Sequence, residues 1–303
     1  MLTCNKDPDD LYYSEKLEDI IKFYYCFDDE DELIRWMKNR PSAEINVYEK
    51  EGNSEVIFVV PTANINDELT INFKNSIKDY HAIFVESSGK YFNFARSVNR
   101  GIRIALRYNP KWIIVSNNDI IFRDDINLLV NRLLNTDNKN IDAVIGSGGN
   151  ITYNLCRFTF LSKLLKWSKY REKWNIFRKY QVKYIYFAYN PIYNLICESV
   201  VKVSNLAFLG EFIIISTSYI QRNNGILFDE TYINGVEDIE LFLNIFQRRS
   251  FSTVRFNIYH IGGASMKANE KRILRDKINY IYFNYKIKNK LIRVGKINMD
   301  LMR

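Results

Sequence analysis

The sequence predicts an α/β fold with a mainly parallel central sheet. Three observations predict it. Short apolar, β-branched runs alternate with segments of helical periodicity between residues 55 and 150. Each of the first three runs stops in a polar cluster: Pro61-Thr62, Glu86-Ser87-Ser88 and Asn117-Asn118-Asp119. In such sheets, ligands bind at the carboxyl ends of the strands, so these clusters are expected to converge on one cleft.

Each element follows in order. Glu55-Val-Ile-Phe-Val-Val60 reads as a strand buried on both faces, stopped by Pro61. A polar loop (62–68) leads to a helical segment over Leu69–Asp79. Ala82–Val85 is a second strand. Phe92–Tyr108 reads as a long helix, with Val98, Ile102, Ala105 and Leu106 on one face. Trp112–Val115 is a third strand, Asp125–Leu134 a helix and Ala143–Ile145 a strand. The β-α-β-α-β order implies right-handed crossovers. Later come a strand at Phe212–Ile215, a helix over about 236–247 and a strand over Thr253–Tyr259, closed by His260-Ile-Gly-Gly263. Neither G-x-G-x-x-G nor G-x-x-x-x-G-K-[ST] occurs, so a dinucleotide fingerprint and a P-loop are both excluded.

Three flanking regions differ in composition. Residues 1–54 read as an acidic helical extension. Up to Glu55 there are 15 Asp/Glu against 7 Lys/Arg, a net of −8, so the remainder of a chain of net +8 carries +16. Two short helices are expected there, and the acidic run Asp28–Glu32 is either solvated surface or a docking face for the basic body. Residues 152–200 form a basic aromatic insertion. Phe160, Leu164, Trp167, Tyr170, Trp174, Phe177, Tyr180 and Tyr184 recur at helical spacing, which predicts one amphipathic helix over 160–184. Such a helix lies in a membrane interface, or packs on the body or on a second subunit in a homodimer. The tail, 266–303, holds 11 Lys/Arg against 3 Asp/Glu and reads as one or two basic helices.

The basic body points to an anionic partner: a nucleotide diphosphate, a membrane surface or a nucleic acid. The four cysteines (4, 26, 156 and 197) form no C-x-x-C pair. A cysteine-based zinc site and a disulfide framework are therefore not expected, and free thiols in a reducing compartment are. The start of the sequence lacks a signal-peptide pattern. The longest uncharged run, Tyr184–Cys197, is too short and polar to span a bilayer. A cytoplasmic protein is expected, soluble or associated with a membrane surface.

Three positions could carry chemistry. Asp119 closes a buried strand, where a carboxylate can bind Mg²⁺ or Mn²⁺ or simply cap a helix. Glu237-Asp238 opens an apolar helical run, where a carboxylate can cap free N–H groups or act as a general base. His260 before Gly262-Gly263 can complete a metal's coordination or hold a structural hydrogen bond.

Their order along the chain resembles the family 2 glycosyltransferases, in particular the rhamnosyltransferase-like branch. Val59-Val-Pro-Thr62 starts the match, and Phe94-Ala-Arg-Ser-Val-Asn-Arg-Gly-Ile102 is similar to the family's G-F-A-x-A-x-N-x-G-I helix. Ser116-Asn-Asn-Asp-Ile120 is similar to L-N-x-D, and Phe208-Leu-Gly-Glu-Phe212 to an acceptor-side L-x-G-x-x segment. Phe228-Asp-Glu-Thr-Tyr232 with Gly235-Val-Glu-Asp-Ile-Glu240 resembles F-D-E-x-F…E-D-x-D, and His260-Ile-Gly-Gly-Ala-Ser265 resembles H-x-x-G-x-S. The match covers about residues 55–265.

The resemblance implies a GT-A nucleotide-sugar-binding fold over 55–265. It implies inverting transfer of a sugar from a nucleotide-diphosphate sugar to a hydroxyl of a glycan, protein or lipid-linked acceptor. Asp119 is then the metal ligand, joined by His260, and Asp238 the catalytic base. Pro61, Thr62, Glu86, Asn99, Asn117, Asn118, Asp119 and Glu237 line the nucleotide sugar. Asn117 stands where a carboxylate is common, and Glu240 has no assigned role. A nucleotidyltransferase is disfavoured because Thr62–Asp67 holds no Gly, Lys or Arg for gripping phosphate. A nucleic-acid-binding protein and a catalytically degenerate scaffold of the same fold are the alternatives.

Overall fold

A computed structural model describes residues 6–147, 153–158, 171–188, 197–203, 206–207, 210–262, 269–294 and 297–299. Three helices open it, where two were expected: α1 (Pro8–Tyr12), α2 (Leu17–Phe23) and α3 (Glu30–Lys38). Then come β1 (Asn46–Lys50), β2 (Asn53–Thr62), α4 (Glu68–Ser76), β3 (Tyr80–Glu86) and α5 (Phe94–Ala105). Next are β4 (Trp112–Ser116), β5 (Ile120–Phe122), α6 (Ile126–Leu134), β6 (Ala143–Ser147), β7 (Tyr153–Phe158), α7 (Arg171–Lys179), β8 (Tyr184–Ala188) and β9 (Cys197–Val203). The chain continues through β10 (Leu206–Ala207), β11 (Phe212–Ser216), α8 (Thr217–Arg222), α9 (Glu237–Arg248), β12 (Phe251–Val254) and β13 (Ile258–His260). It ends in α10 (Glu270–Arg275), α11 (Lys277–Lys288) and β14 (Ile297–Met299).

The central sheet has eight strands in the order β1-β3-β2-β4-β11-β6, with β10 and β12 both on β6. β2 is parallel to β3 and β4, and β12 is parallel to β6. β1, β11 and β10 run against their neighbours. Strands β2, β3, β4, β6 and β12 therefore share one direction, five of the eight. The fold is α/β with a mainly parallel sheet, but the reversed β11 sits at its centre. An apolar run buried on both faces looks the same in either direction, so its pattern carries no polarity.

Burial on both faces explains β2. Val56, Phe58 and Val60 pack with Phe73, Phe84 and Leu129 in one core. The alternate Ile57 and Val59 pack with Ile83, Val98 and Leu241 in the other. This is the two-residue period of a pleated strand. Helix α5 crosses the second face closely. A Cβ added at Gly101 would lie 2.5 Å from Val59 Cγ1, so only glycine fits there. Helix α5 is capped by Asn93, whose side chain accepts from Arg96 N at 2.9 Å, and continues into a 3₁₀ turn at Leu106–Tyr108.

The acidic stretch joins the body. Strand β1 extends the sheet on β3, and α2 and α3 share a core with α5 and α9. Lys179 Nζ donates to Tyr24 O (2.9 Å) and Phe27 O (2.6 Å), and Arg275 donates to Tyr12 O (2.8 Å) and Ser14 O (2.7 Å). Lys271–Glu15 and Lys288–Glu30 add ion pairs to the basic tail. Within the acidic run itself, Asp28, Asp29 and Asp31 are exposed, and Glu30 meets the basic tail through Lys288.

Two expectations are corrected. The single helix over 160–184 ends at Lys179. Gln181 takes φ 52°, and Tyr184 belongs to β8, which pairs with β7. Phe177 and Tyr180 of the aromatic stripe are buried, and the Tyr180 hydroxyl donates to Tyr24 O at 2.6 Å. The stripe's members from Phe160 to Tyr170 lie outside the described residues. Second, Cys26 and Cys156 each take part in a disulfide rather than being free thiols. Spacing along a chain does not reveal which cysteines meet in space. Disulfides persist mainly in oxidising compartments, so the expectation of a reducing one loses its basis. No helix among the described residues is long and apolar enough to cross a membrane.

Candidate active site

The carboxyl ends of β2, β3 and β4 lie side by side and carry two polar groups. The first is a lattice under the loop after β2. Thr62 Oγ1 lies 2.9 Å from Thr70 Oγ1. Asn118 Nδ2 donates to Thr70 Oγ1 at 2.9 Å and reaches Thr62 Oγ1 at 3.3 Å and Asp67 Oδ2 at 3.4 Å. Asp67 also caps α4, accepting from Thr70 N at 2.6 Å. Glu86 Oε2 accepts from Ile65 N at 2.7 Å, tying the loop to β3. Pro61 and Thr62 pair with Val85 and Glu86 in the parallel register.

The second group gathers Asn117, Asp119, Glu211, Asp238 and His260. Strands β5 and β13 pair antiparallel, with His260 opposite Ile120, and Ile261 N donates to Asp119 O at 3.1 Å. This pairing sets His260 Nε2 3.1 Å from Asp119 Oδ1 and 3.5 Å from Asn117 Nδ2. Asp119 is 7% exposed, and its Oδ1 makes no hydrogen bond despite the close imidazole. Seven buried side-chain atoms of the described residues lack a hydrogen-bond partner. Three of them, Ser87 Oγ, Asp119 Oδ1 and Glu237 Oε2, stand at this end of the sheet. Asp119 Oδ1 has the His260 imidazole at 3.1 Å as an ion-pair partner, which leaves Ser87 Oγ and Glu237 Oε2 as the atoms here that depart from the usual pairing of buried polar groups.

Asp238 arrives from the other side. The turn before α9 is strained: Val236, a β-branched residue, takes φ 76°, and Asn234 takes φ 55°. Such positions cost about 1–3 kcal/mol and persist where surroundings hold them. Here the fully buried Asn279 exchanges hydrogen bonds with the Ile233 backbone (2.7 and 2.9 Å), and Asn234 Oδ1 accepts from Phe94 N at 2.7 Å. The turn presents Glu237 and Asp238 in the first turn of α9. A Cβ added at Gly210, whose φ is +86°, would lie 2.6 Å from Asp238 Oδ2. The next residue, Glu211, accepts through its backbone oxygen from Asn117 N at 3.0 Å. The two-residue segment Gly210-Glu211 is thus all that separates Asp238 from the end of β4.

Electrostatics follow the geometry. Burial and the neighbouring Asp238 push the Glu237 carboxyl up to about 8, which leaves it protonated at neutral pH. Burial also raises Asp238, which is half-buried. Burial raises Glu211 as well; His260 opposes that shift, and Asp238 and Asp119 add to it.

Asn99 is a correction. Its Oδ1 accepts from Leu227 N (3.0 Å) and Phe228 N (3.2 Å), and its Nδ2 donates to Phe228 O (2.8 Å) and Glu230 Oε1 (3.0 Å). Fully buried and fully bonded, it clamps the 227–230 segment to α5 and has no group left for a ligand. Glu240 also acquires a role. Its oxygens accept from Lys286 Nζ at 2.6 and 2.9 Å and from the Tyr232 hydroxyl at 2.7 Å. Sequence reasoning missed Ser87 and Glu211 as site residues. Both flank quoted motif positions, but nothing in their spacing signals that Ser87 Oγ is left without a partner or that Glu211 feels the charges of His260, Asp238 and Asp119.

No family model matches the sequence, and no curated protein matches it. Among solved structures, one similar to it is "Crystal Structure of A197 from STIV", at 12% identity and a TM-score of 0.37, covering 68% of this chain and 85% of that chain. A likeness at that level decides neither the fold family nor the activity.

Proposed function

We propose that the chain is an inverting, metal-dependent glycosyltransferase with a GT-A-type site, using a nucleotide-diphosphate sugar as donor. One observation carries the reading: Asp119 with His260, and Asp238, converge on the Gly210-Glu211 segment at the carboxyl ends of the strands.

The side chains present fit a divalent ion. Two cis ligands of an octahedral Mg²⁺ or Mn²⁺ lie about 3 Å apart for bonds near 2.1 Å, and Asp119 Oδ1 and His260 Nε2 are separated by 3.1 Å. The oxygen is buried, and the imidazole nitrogen is its close polar neighbour among the described residues. Among the described residues no group of three or more His, Cys, Asp or Glu could hold a metal. The ion would therefore rest on these two ligands together with donor phosphates, a common arrangement for Mg²⁺. When bound, it supplies neutralisation of the charge on the departing diphosphate.

The chain's own groups do the rest. The Asp238 carboxylate accepts the proton of the acceptor hydroxyl as that oxygen attacks the anomeric carbon. The bond from that carbon to the diphosphate oxygen breaks, and the diphosphate leaves with the electron pair. Attack from the face opposite the leaving group inverts the configuration. A base whose pKa is lifted by burial is better matched to neutral pH than an exposed aspartate. Glu237, protonated beneath it, adds no second negative charge.

A thermal-shift screen of the full chain with UDP, GDP and dTDP, with and without Mn²⁺, tests the reading. A ligand that binds only the folded state raises Tm by mass action. At least one nucleotide is expected to stabilise the protein only when Mn²⁺ is present, and Asp119→Ala to lose that shift. No shift with any nucleotide and metal would overturn the proposal.

A further inference from the structure

The reaction places its parts in a line: diphosphate beside Asp119 and His260, sugar ring in the middle, acceptor hydroxyl beside Asp238. Glu211 stands at the middle position. Its backbone oxygen is fixed by Asn117 N at 3.0 Å, two residues before Asp119, and its neighbour Gly210 is pressed against Asp238 Oδ2. Strand β11 pairs with β4 in the register Phe212 to Ser116, so residue 211 lies across from residue 117. Side chains alternate along a strand. Ile213 faces the core shared with α5 and α9, whereas Phe212 faces the other core. Glu211 itself sits in the turn just before β11, next to Gly210, which lies against Asp238. Its carboxyl is only half-buried, and the charges of Asp119, Asp238 and His260 all act on it. One nearby atom outside the Asp119–His260 pair points to a ligand: Glu237 Oε2 is buried beyond nine-tenths and has no hydrogen-bond partner among the described residues.

We propose that Glu211 determines sugar specificity: its carboxyl accepts hydrogen bonds from hydroxyls of the sugar being transferred, between the diphosphate end and the base. This rests on the glycosyltransferase reading. A carboxyl group suits the task because its two oxygens can take a pair of neighbouring hydroxyls. A site built to bond a hydroxyl discriminates sharply against an analogue lacking it.

The test compares nucleotide with nucleotide sugar on the same protein. Dissociation constants are measured in Mn²⁺ for the pairs UDP and UDP-glucose, GDP and GDP-mannose, and dTDP and dTDP-rhamnose. In the pair where the sugar adds most affinity to the wild type, Glu211→Ala should remove about tenfold of that gain, the size of a hydrogen bond to a charged group. Affinity for the bare nucleotide should be unchanged. Glu211→Gln, which keeps the shape, should lose less, and melting curves of both variants show that they fold. The proposal is overturned if the sugar adds no affinity in the wild type, if Glu211→Ala leaves the gain intact, or if it weakens nucleotide and nucleotide sugar equally. Should the wild type bind no nucleotide at all, the transferase reading itself fails and this inference falls with it, an outcome distinct from the other three.

Discussion

Helix α9 carries two acidic groups of similar composition and opposite fate. Glu240, with Asp229 nearby, meets a lysine. Lys286 Nζ lies 2.6 Å from Glu240 and 2.8 Å from Asp229, and the hydroxyls of Tyr232 and Tyr282 complete the shell at 2.7 and 2.8 Å. Burial alone would lower the lysine and raise Asp229. Their mutual attraction outweighs it, so Lys286 is raised and Asp229 lowered. Glu237 and Asp238, at the start of the same helix, meet no cation among the described residues and are both raised by burial. The paired acids hold α11 against α9, whereas the acids at the helix start keep a raised affinity for protons. The type of residue does not distinguish the two groups; the partner does.

The comparison breaks most decisively at Asp238. Under the proposed role of Asp238 as base, Asp238→Asn should lower the initial rate of sugar transfer by about 10²–10⁴-fold. Nucleotide binding in Mn²⁺ should survive and folding should not suffer. An active Asp238→Asn protein would move the base elsewhere.

Next in size is Lys286. Lys286→Met leaves Asp229 and Glu240 largely buried without a counter-charge, and breaking such a pair costs about 3–5 kcal/mol. Urea unfolding should show that loss, with nucleotide binding by the folded fraction intact. A variant as stable as wild type would mean that water, not the lysine, compensates these acids.

The smallest effect concerns Glu237 and appears only as pH dependence. Its carboxyl shifts from an ordinary 4.5 to about 8 on folding. Between those values the folded protein binds more protons than the unfolded one, so this group's contribution is fully present below 4.5 and is lost as pH rises toward 8. Glu237→Gln should therefore lose less stability between pH 4.5 and pH 8 than wild type does, read as urea midpoints across that range. Parallel curves for the two proteins would show that Glu237 finds a cation when it ionises.

Much of the site was legible from the chain. Pro61-Thr62, Glu86 and Asn117–Asp119 closed apolar runs, and the strands placed them at one end of the sheet because parallel crossovers leave no alternative. Asn99 misled, because an asparagine in a motif looks the same whether it faces a ligand or clamps the backbone at 227–230. Tyr184 misled because a stripe of aromatics continues past the point where Gln181 turns the chain. Periodicity reports which face is apolar, not where the backbone stops being helical.

The sequence by itself determined the alternation of strands and helices, the polar endings of the strands, and the order of the acidic and histidine positions. These are local properties, fixed by apolar spacing and by residues that stop a run. Only the tertiary structure decided that β11 runs backward between β4 and β6, that Cys26 and Cys156 are oxidised, that Lys286 disarms Glu240, and that Glu211 comes to lie between Asp119 and Asp238. Each of these depends on residues far apart in the chain meeting in space, and a contact of that kind leaves no periodic trace for a linear reading to find.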